Sequence, residues 1–240
     1  MANSPDVEIP ETIVIPAGEY LMGGIAEDKY VTAVELPPTR IRFAAGFAMG
    51  KAPVTQSQWH SVMRQLPHGC APGAVAACPV VSVSFHDVSS FLLKLSAMAE
   101  MVFRLPSEAE WEYACRGGSM TVFPTGTSLS LEAANYLYDE NGTAVGTGAL
   151  TPVSRYPPNR FGLHDMLGNV CEWTADDWHP NHRDTSTDGR PRVSASDPPR
   201  RAIRGGGWDH LPRVLRPSWR NWAPETARWD NLGFRIARSL

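Results

Sequence analysis

Between residues 117 and 200 the chain loses regular hydrophobic periodicity, and Gly, Pro, Asn and Asp dominate almost throughout. A stretch of that length is too long for a structureless loop inside a compact domain. It must be ordered by something other than ladders: ions, aromatic packing, or bonds between side chains and backbone. The expected fold is therefore loop-rich, with short strands. The 8 Trp, 20 Gly and 21 Pro agree, because Gly and Pro punctuate elements while Trp bodies must be buried or used as contact surface. Within the stretch, residues 176–200 are rich in Asp, Pro, His and Arg and are expected to form a solvent-exposed excursion.

Elsewhere the pattern is more regular. Residues 13–24 read as a strand, a turn at Ala17-Gly18, and a second strand, that is, a hairpin. Residues 39–43 alternate as an edge strand would, and residues 47–51 resemble another. A helix is expected over 54–63 with Thr55 as N-cap and Trp59, Val62 and Met63 on one face. A short strand is expected over 80–85. A second helix follows, with Val88, Phe91, Leu92 and Leu95 at helical spacing. A third spans 104–114, where Ser107 caps and Glu110 reaches back. Strands are expected again at 201–208 and 232–238. With no internal repeat and no clean linker, residues 1–240 are taken as one domain.

Several function classes are disfavoured early. A net charge of −3 and a pI near 6.2 argue against phosphate-backbone binding, so nucleic acid is not an expected partner. No run of about 18 apolar residues occurs, so no membrane partner is expected, and the first residues carry no basic and apolar leader pattern. The chain is read as cytoplasmic as given, and as secreted or periplasmic if a signal was trimmed. There is no Gly-x-Ser-x-Gly elbow, no phosphate-cradling Gly-Lys-Ser/Thr loop, and no Cys/His zinc spacing. Cys70 and Cys78 flank a small loop and are either a disulfide or two free thiols. Cys115 and Cys171 sit in apolar-aromatic runs and are expected as small core residues.

The blocks Ile15-Pro16-Ala17-Gly18-Glu19-Tyr20-Leu21-Met22-Gly23, Arg104-Leu105-Pro106-Ser107-Glu108-Ala109-Glu110-Trp111-Glu112-Tyr113, Met166-Leu167-Gly168-Asn169-Val170-Cys171-Glu172-Trp173, Arg204-Gly205-Gly206-Gly207-Trp208 and Leu232-Gly233-Phe234-Arg235 occur in that order. With Pro53-Val54-Thr55, residues 79–84 and Asn159-Arg160-Phe161-Gly162-Leu163, they resemble the signature blocks of the sulfatase-modifying-factor, or formylglycine-generating enzyme, family along nearly the whole chain. The resemblance implies an α+β, C-type-lectin-like fold: a small antiparallel sheet, two to three helices, much ordered loop, and bound structural calcium. A hard cation wants six to eight oxygens. The family's site would fall on Asp165 and Glu172 as side-chain ligands with the carbonyls of Leu167, Gly168 and Val170. The other reading is a metal-free turn in which Glu172 pairs with an arginine. A second family site would use Asn135, the carbonyl of Tyr136 and a downstream acidic residue, although the loop at 139–146 departs from the usual pattern.

The oxidases of the family use two cysteines shortly after the Gly-Gly strand to bind copper. Here residues 207–216 contain none, and the last cysteine in the chain is Cys171. One His and one Asp cannot replace a soft thiolate pair without changing metal preference, so copper is not expected. Asp209 and His210 could join His179 or His182 in a two-histidine, one-carboxylate iron site, although solvated loop histidines are the plainer reading for His179 and His182. What the segment offers is a contact surface: Trp208, Asp209, His210, Arg213, Trp219, Asn221, Trp222, Arg228, Trp229 and Asp230, types that carry binding energy at interfaces. Half of these tryptophans are expected in the core. In the family this stretch lines the open pocket, and in variable proteins of diversity-generating retroelements with this fold it holds the diversified residues.

The expected function is thus a ligand- or protein-binding module, with a protein or small molecule at the C-terminal loop face. The alternatives are a metal-dependent oxidoreductase not acting on sulfatases and an accessory protein that docks on a kinase or secretion component.

Overall fold

Three capping boxes set the helices. Thr55 accepts from the Gln58 N–H at 3.2 Å while its own N–H donates to Gln58 Oε1 at 2.9 Å, opening α1 (Gln56–Met63). Ser84 and Asp87 do the same for α2 (Phe85–Ala99), and Ser107 and Glu110 for α3 (Glu108–Arg116). Each such cap contributes about 0.5–2 kcal/mol by satisfying backbone N–H groups that the first turn leaves open. The structure, a computed structural model, describes residues 7–68, 76–194 and 200–240. The Cys70–Cys78 pairing falls outside the described residues.

The strands are β1 (Thr12–Ile15), β2 (Gly18–Met22), β3 (Thr39–Phe43), β4 (Phe47–Gly50), β5 (Cys171–Asp177), β6 (Arg200–Arg204), β7 (Asn221–Pro224), β8 (Leu232–Gly233) and β9 (Ala237–Ser239). They form three small sheets, ordered β1-β4-β9, β2-β3 and β7-β6-β5-β8, antiparallel except for β5 beside β8. The fold is α+β and loop-rich. Two apolar cores flank the β5–β6 layer. One gathers Trp59, Phe91, Trp173 and Phe234 beneath α1 and α2. The other gathers Tyr20, Phe43, Trp111 and Tyr113 between α3 and the β2–β3 ribbon.

The expected hairpin over 13–24 is not formed. Only Pro16 and Ala17 separate β1 from β2, and a two-residue hairpin loop needs positive φ, which proline cannot adopt. The strands diverge instead, β1 onto β4 and β2 onto β3. The strand expected at 80–85 is buried coil: the Val80 N–H donates to Val54 and that of Ser82 to Trp229, so successive residues bond different neighbours. The run at 232–238 divides between β8 and β9, with Phe234 and Ile236 buried between them.

The aperiodic stretch is ordered largely by asparagines bonding backbone. Asn169 accepts from the Thr151 N–H and donates to the Thr151 carbonyl, both at 3.1 Å, and Asn135 donates to it and to the Ala149 carbonyl. Asn159 donates to the carbonyls of Ala114 and Cys115 and accepts from Phe161 and Leu163.

The excursion at 176–200 is not simply solvent-exposed. Asp176 and Asp177 end β5 and are buried, and His182 is 1% exposed. The Gly189 carbonyl accepts from Ser107 Oγ, and the Arg42 N–H donates to the Thr187 carbonyl. Part of the segment thus meets the start of α3 and β3, while Arg183, Asp184, Asp188 and Arg190 are exposed.

Candidate ligand-binding cleft

The β7-β6-β5-β8 sheet and the chain returning from it enclose a cleft of about 550 Å³. It is lined by Cys171 of β5, Ile203 of β6, Asn221 of β7, and Ser82, His210, Trp219, Arg228, Trp229, Asp230 and Asn231. Six residues expected from the sequence meet here: His210, Trp219, Asn221, Arg228, Trp229 and Asp230. Trp208, Asp209, Arg213 and Trp222 do not line it. Trp208 donates to the Asp230 carbonyl at 3.4 Å, Trp222 stacks under Arg200 at 4.1 Å, Arg213 is exposed, and Asp209 takes both bonds from Asn231 Nδ2 at 2.8 and 3.1 Å. None of the four tryptophans at 208–229 is buried, contrary to expectation. The core tryptophans are Trp59, Trp111 and Trp173.

Sequence reasoning missed Ser82, Cys171, Ile203 and Asn231. They come from separated segments with ordinary side chains.

Polarity in the cleft is fixed. The Gly207 N–H donates to His210 Nδ1 at 2.9 Å, so the neutral ring carries its proton on Nε2. Burial lowers the His210 pKa, against the opposing charge of Asp209. Arg228 reaches the Ser82 carbonyl at 3.4 Å and clasps Asp87. Burial would raise Asp87, but bonds from Arg228 and Ser84 outweigh it and hold the carboxyl below its usual range. Burial raises the Cys171 thiol well above an ordinary thiol, with Asp209 and Glu172 adding to the rise. The cleft's one sulfur is thus held as an inert thiol.

Beneath the cleft lies a buried ionic network. Arg204 on β6 reaches Glu112 at 2.5 Å and Glu108 at 3.1 Å, and Arg220 chelates Glu108 at 2.6 Å. Burial would raise Glu108, but Arg220 and Arg204 hold it down at about 2. Asp176, whose oxygens accept from the Glu108 and Arg192 N–H groups, is pushed up by burial and by the charge of Glu108. His182 is forced down to about 4 by burial and by Arg220. It is therefore a neutral interior group and not a solvated loop histidine.

Among the described residues no three His, Cys, Asp or Glu side chains gather to hold a metal. Asp209 and His210 are therefore not joined by His179 and His182. Two turns carry the expected calcium ligands. At 165–172, positive φ at Gly168 and Asn169 turns successive carbonyls, and Glu172 Oε1 accepts one bond, from Arg235, keeping a lone pair free. Arg235 holds both Glu172 oxygens and the Gly168 carbonyl accepts the Val170 N–H, the pairing expected of a metal-free turn, so a cation would have to use the remaining lone pairs. Asp165 gives one oxygen to the Ser154 N–H and has the other unpartnered. At the second site Asn135 is spent on Ala149, Asn169 and Thr147, and Asp139 on the Asn141 and Thr143 N–H groups. Both of the latter bonds fall on Asp139 Oδ1.

A family model described as the sulfatase-modifying factor enzyme 1-like domain matches residues 1–240. The chain is 34% identical over 165 residues to the serine/threonine-protein kinase Pkn1 of Chlamydia trachomatis, covering 68% of this chain and 24% of the kinase. It is 32% identical over 176 residues to the formylglycine-generating enzyme of Mycobacterium tuberculosis (67% and 57%). It is 33% identical over 175 residues to the inactive C-alpha-formylglycine-generating enzyme 2 of Mus musculus (67% and 49%). It thus spans from a quarter to just over half the length of these relatives. Among solved structures, PvdO from Pseudomonas aeruginosa superposes with a TM-score of 0.84 at 32% identity, covering 96% of this chain and 95% of the other. Treponema denticola variable protein 1 shares the fold with a TM-score of 0.80 at 24% identity, covering 95% of each.

Proposed function

The chain belongs to the sulfatase-modifying factor enzyme 1-like family, and from that membership we propose that it is a ligand- or protein-binding module rather than a copper oxidase. The observation that carries this reading is the composition of the cleft. Its lining offers two tryptophans, an arginine, a histidine and two asparagines, and its only sulfur is the buried Cys171. Aromatic and arginine anchors around an open concavity are what a binding site needs. Soft-metal oxygen chemistry needs paired thiolates, and residues 207–216 supply none.

The test is metal analysis of the purified protein together with oxygen uptake in the presence of a cysteine-containing peptide. We expect neither stoichiometric copper or iron nor oxygen consumption. Finding both would overturn the reading in favour of an oxidoreductase. A diversified protein of a retroelement is the narrower version. It requires an adjacent reverse-transcriptase gene and a near-repeat of codons 208–234, and a locus without them removes it.

Calcium at the 165–172 turn belongs to the same reading as a structural ion. Asp165, Glu172 and the carbonyls of Leu167, Gly168 and Val170 would hold it, and it would supply cross-linking charge.

A further inference from the structure

The charges of the cleft do not balance. Arg228 is the one permanent cation in its lining, and that cation is already answered. Its guanidinium clasps both oxygens of Asp87 and reaches the Ser82 carbonyl at 3.4 Å. Asp230 lines the same cleft and is exposed, and among the described residues its carboxylate enters no hydrogen bond or ion pair; only its carbonyl is engaged, by Trp208 Nε1. Asp209, beside the wall, is bonded by the neutral amide of Asn231 and by no cation. Its charge is felt inside. The charges that move the two titratable groups of the inner lining, Cys171 and His210, are all negative: Asp209 for both, and Glu172 for the thiol. His210 brings no positive charge of its own at pH 7, because burial lowers it from 6.5.

Trp219 and Trp229 supply apolar wall. Trp229 is 41% exposed, although a side chain of that size gains by burial. Both backbones are pinned. The Trp219 carbonyl accepts from Arg204 at 2.7 Å, and the Trp229 carbonyl accepts from the Ser82 and Leu232 N–H groups at 3.0 and 3.2 Å. The face of an indole is the negative end of its quadrupole and attracts cations, and a concavity with low-dielectric walls concentrates the field of an unanswered carboxylate. Aromatic wall and unpaired charge therefore favour the same kind of guest.

We propose that the cleft takes an organic cation, an ammonium or guanidinium group on an apolar body, drawn by the unanswered charges of Asp230 and Asp209 and packed against Trp219 and Trp229. This rests on the cleft being a binding site and names what it takes. A bare metal ion is not the guest, because among the described residues no three His, Cys, Asp or Glu side chains gather to hold one. An anion would meet two carboxylates with Arg228 already spent. A neutral ligand would gain the indole contact alone.

The experiment uses the full chain, labelled with ¹⁵N and titrated at pH 7 with benzylamine, benzyl alcohol and benzoate, while the Trp219 and Trp229 side-chain signals are followed. Benzylamine is expected to shift both and to bind at least about five-fold tighter than either other probe. Raising the salt from about 0.02 to 0.3 M should weaken benzylamine and leave benzyl alcohol unchanged. Asp230→Asn removes a charge that no other side chain uses, so the variant should fold. It should lower benzylamine affinity about three-fold and spare benzyl alcohol. An acetyl-lysyl methylamide that outbinds its norleucyl counterpart would assign the cation to a protein side chain, whereas a response to benzylamine alone would assign it to a small molecule. Equal binding of the three probes, or tighter binding of benzoate, would overturn the cation inference while leaving the binding-module reading intact. Silence with every probe, or undiminished benzylamine binding by Asp230→Asn, would overturn it as well, and the reading beneath is decided separately by metal content and oxygen uptake.

Discussion

Arg235 closes on Glu172 with two bonds of 2.7 Å, one to each carboxylate oxygen, and both side chains are fully buried. Trp111 Nε1 adds a third at 2.8 Å. The pair ties the segment after β8 to β5 at the point where the two cores meet.

Replacing one partner should therefore be severe. Arg235→Met leaves a buried carboxylate facing an indole and should cost about 3–5 kcal/mol in urea unfolding. Adding Glu172→Gln should recover part of that loss. A double variant as unstable as the sum of the two single variants would show that the pair is not coupled.

If the 165–172 turn holds calcium, chelation should lower the melting temperature by about 5–10 °C, as expected for removing an ion present at about a hundred times its Kd from a domain of this size. Glu172→Gln should abolish the difference between calcium and chelator. An unchanged melting temperature on dialysis against chelator would rule out the structural ion.

Gly207 lies against the Asp209–Asn231 contact. A Cβ there would stand 2.9 Å from Asn231 Cβ and 2.9 Å from Asp209 Oδ1. Gly207→Ala should destabilise by about 1–3 kcal/mol through overpacking. It should also turn the Asn231 amide, visible as a shift of its side-chain NMR signals, and wild-type signals would refute the contact.

His182 gives a pH prediction. Its ordinary value is 6.5 and its folded value is about 4, so below pH 6.5 the unfolded chain takes a proton that the folded chain refuses. Its contribution is complete above about pH 6.5 and is lost as pH falls toward 4, on the order of 3 kcal/mol in all. Asp176 and Glu108 titrate in the same buried region, so the reading is differential. Between pH 7 and 4.5 wild type should lose more stability than His182→Gln, and parallel curves would refute a neutral His182.

The helices were legible because their signals are local: Thr55 with Gln58, Ser84 with Asp87 and Ser107 with Glu110 lie three residues apart and need no tertiary context. The strands were less so. Pro16 bars a two-residue hairpin between β1 and β2, but nothing local announces that β1 will pair with residues 47–50. The same limit governs the cleft. Residues 208–230 advertise themselves by side-chain type, but Cys171 and Ser82 enter only because β5 and the coil before α2 pass beneath, a consequence of long-range register that composition does not carry. His182 was misread for a related reason: a polar neighbourhood in sequence became an ionic interior once α3 packed against it.

Arg204 donates through Nη1 to the carbonyls of Pro217 and Trp219, each at 2.7 Å. Those acceptors are main-chain atoms and exist whatever residue stands at either position. The scaffold thereby grips the rim by its spine, and a new side chain at 217 or 219 would leave both bonds standing.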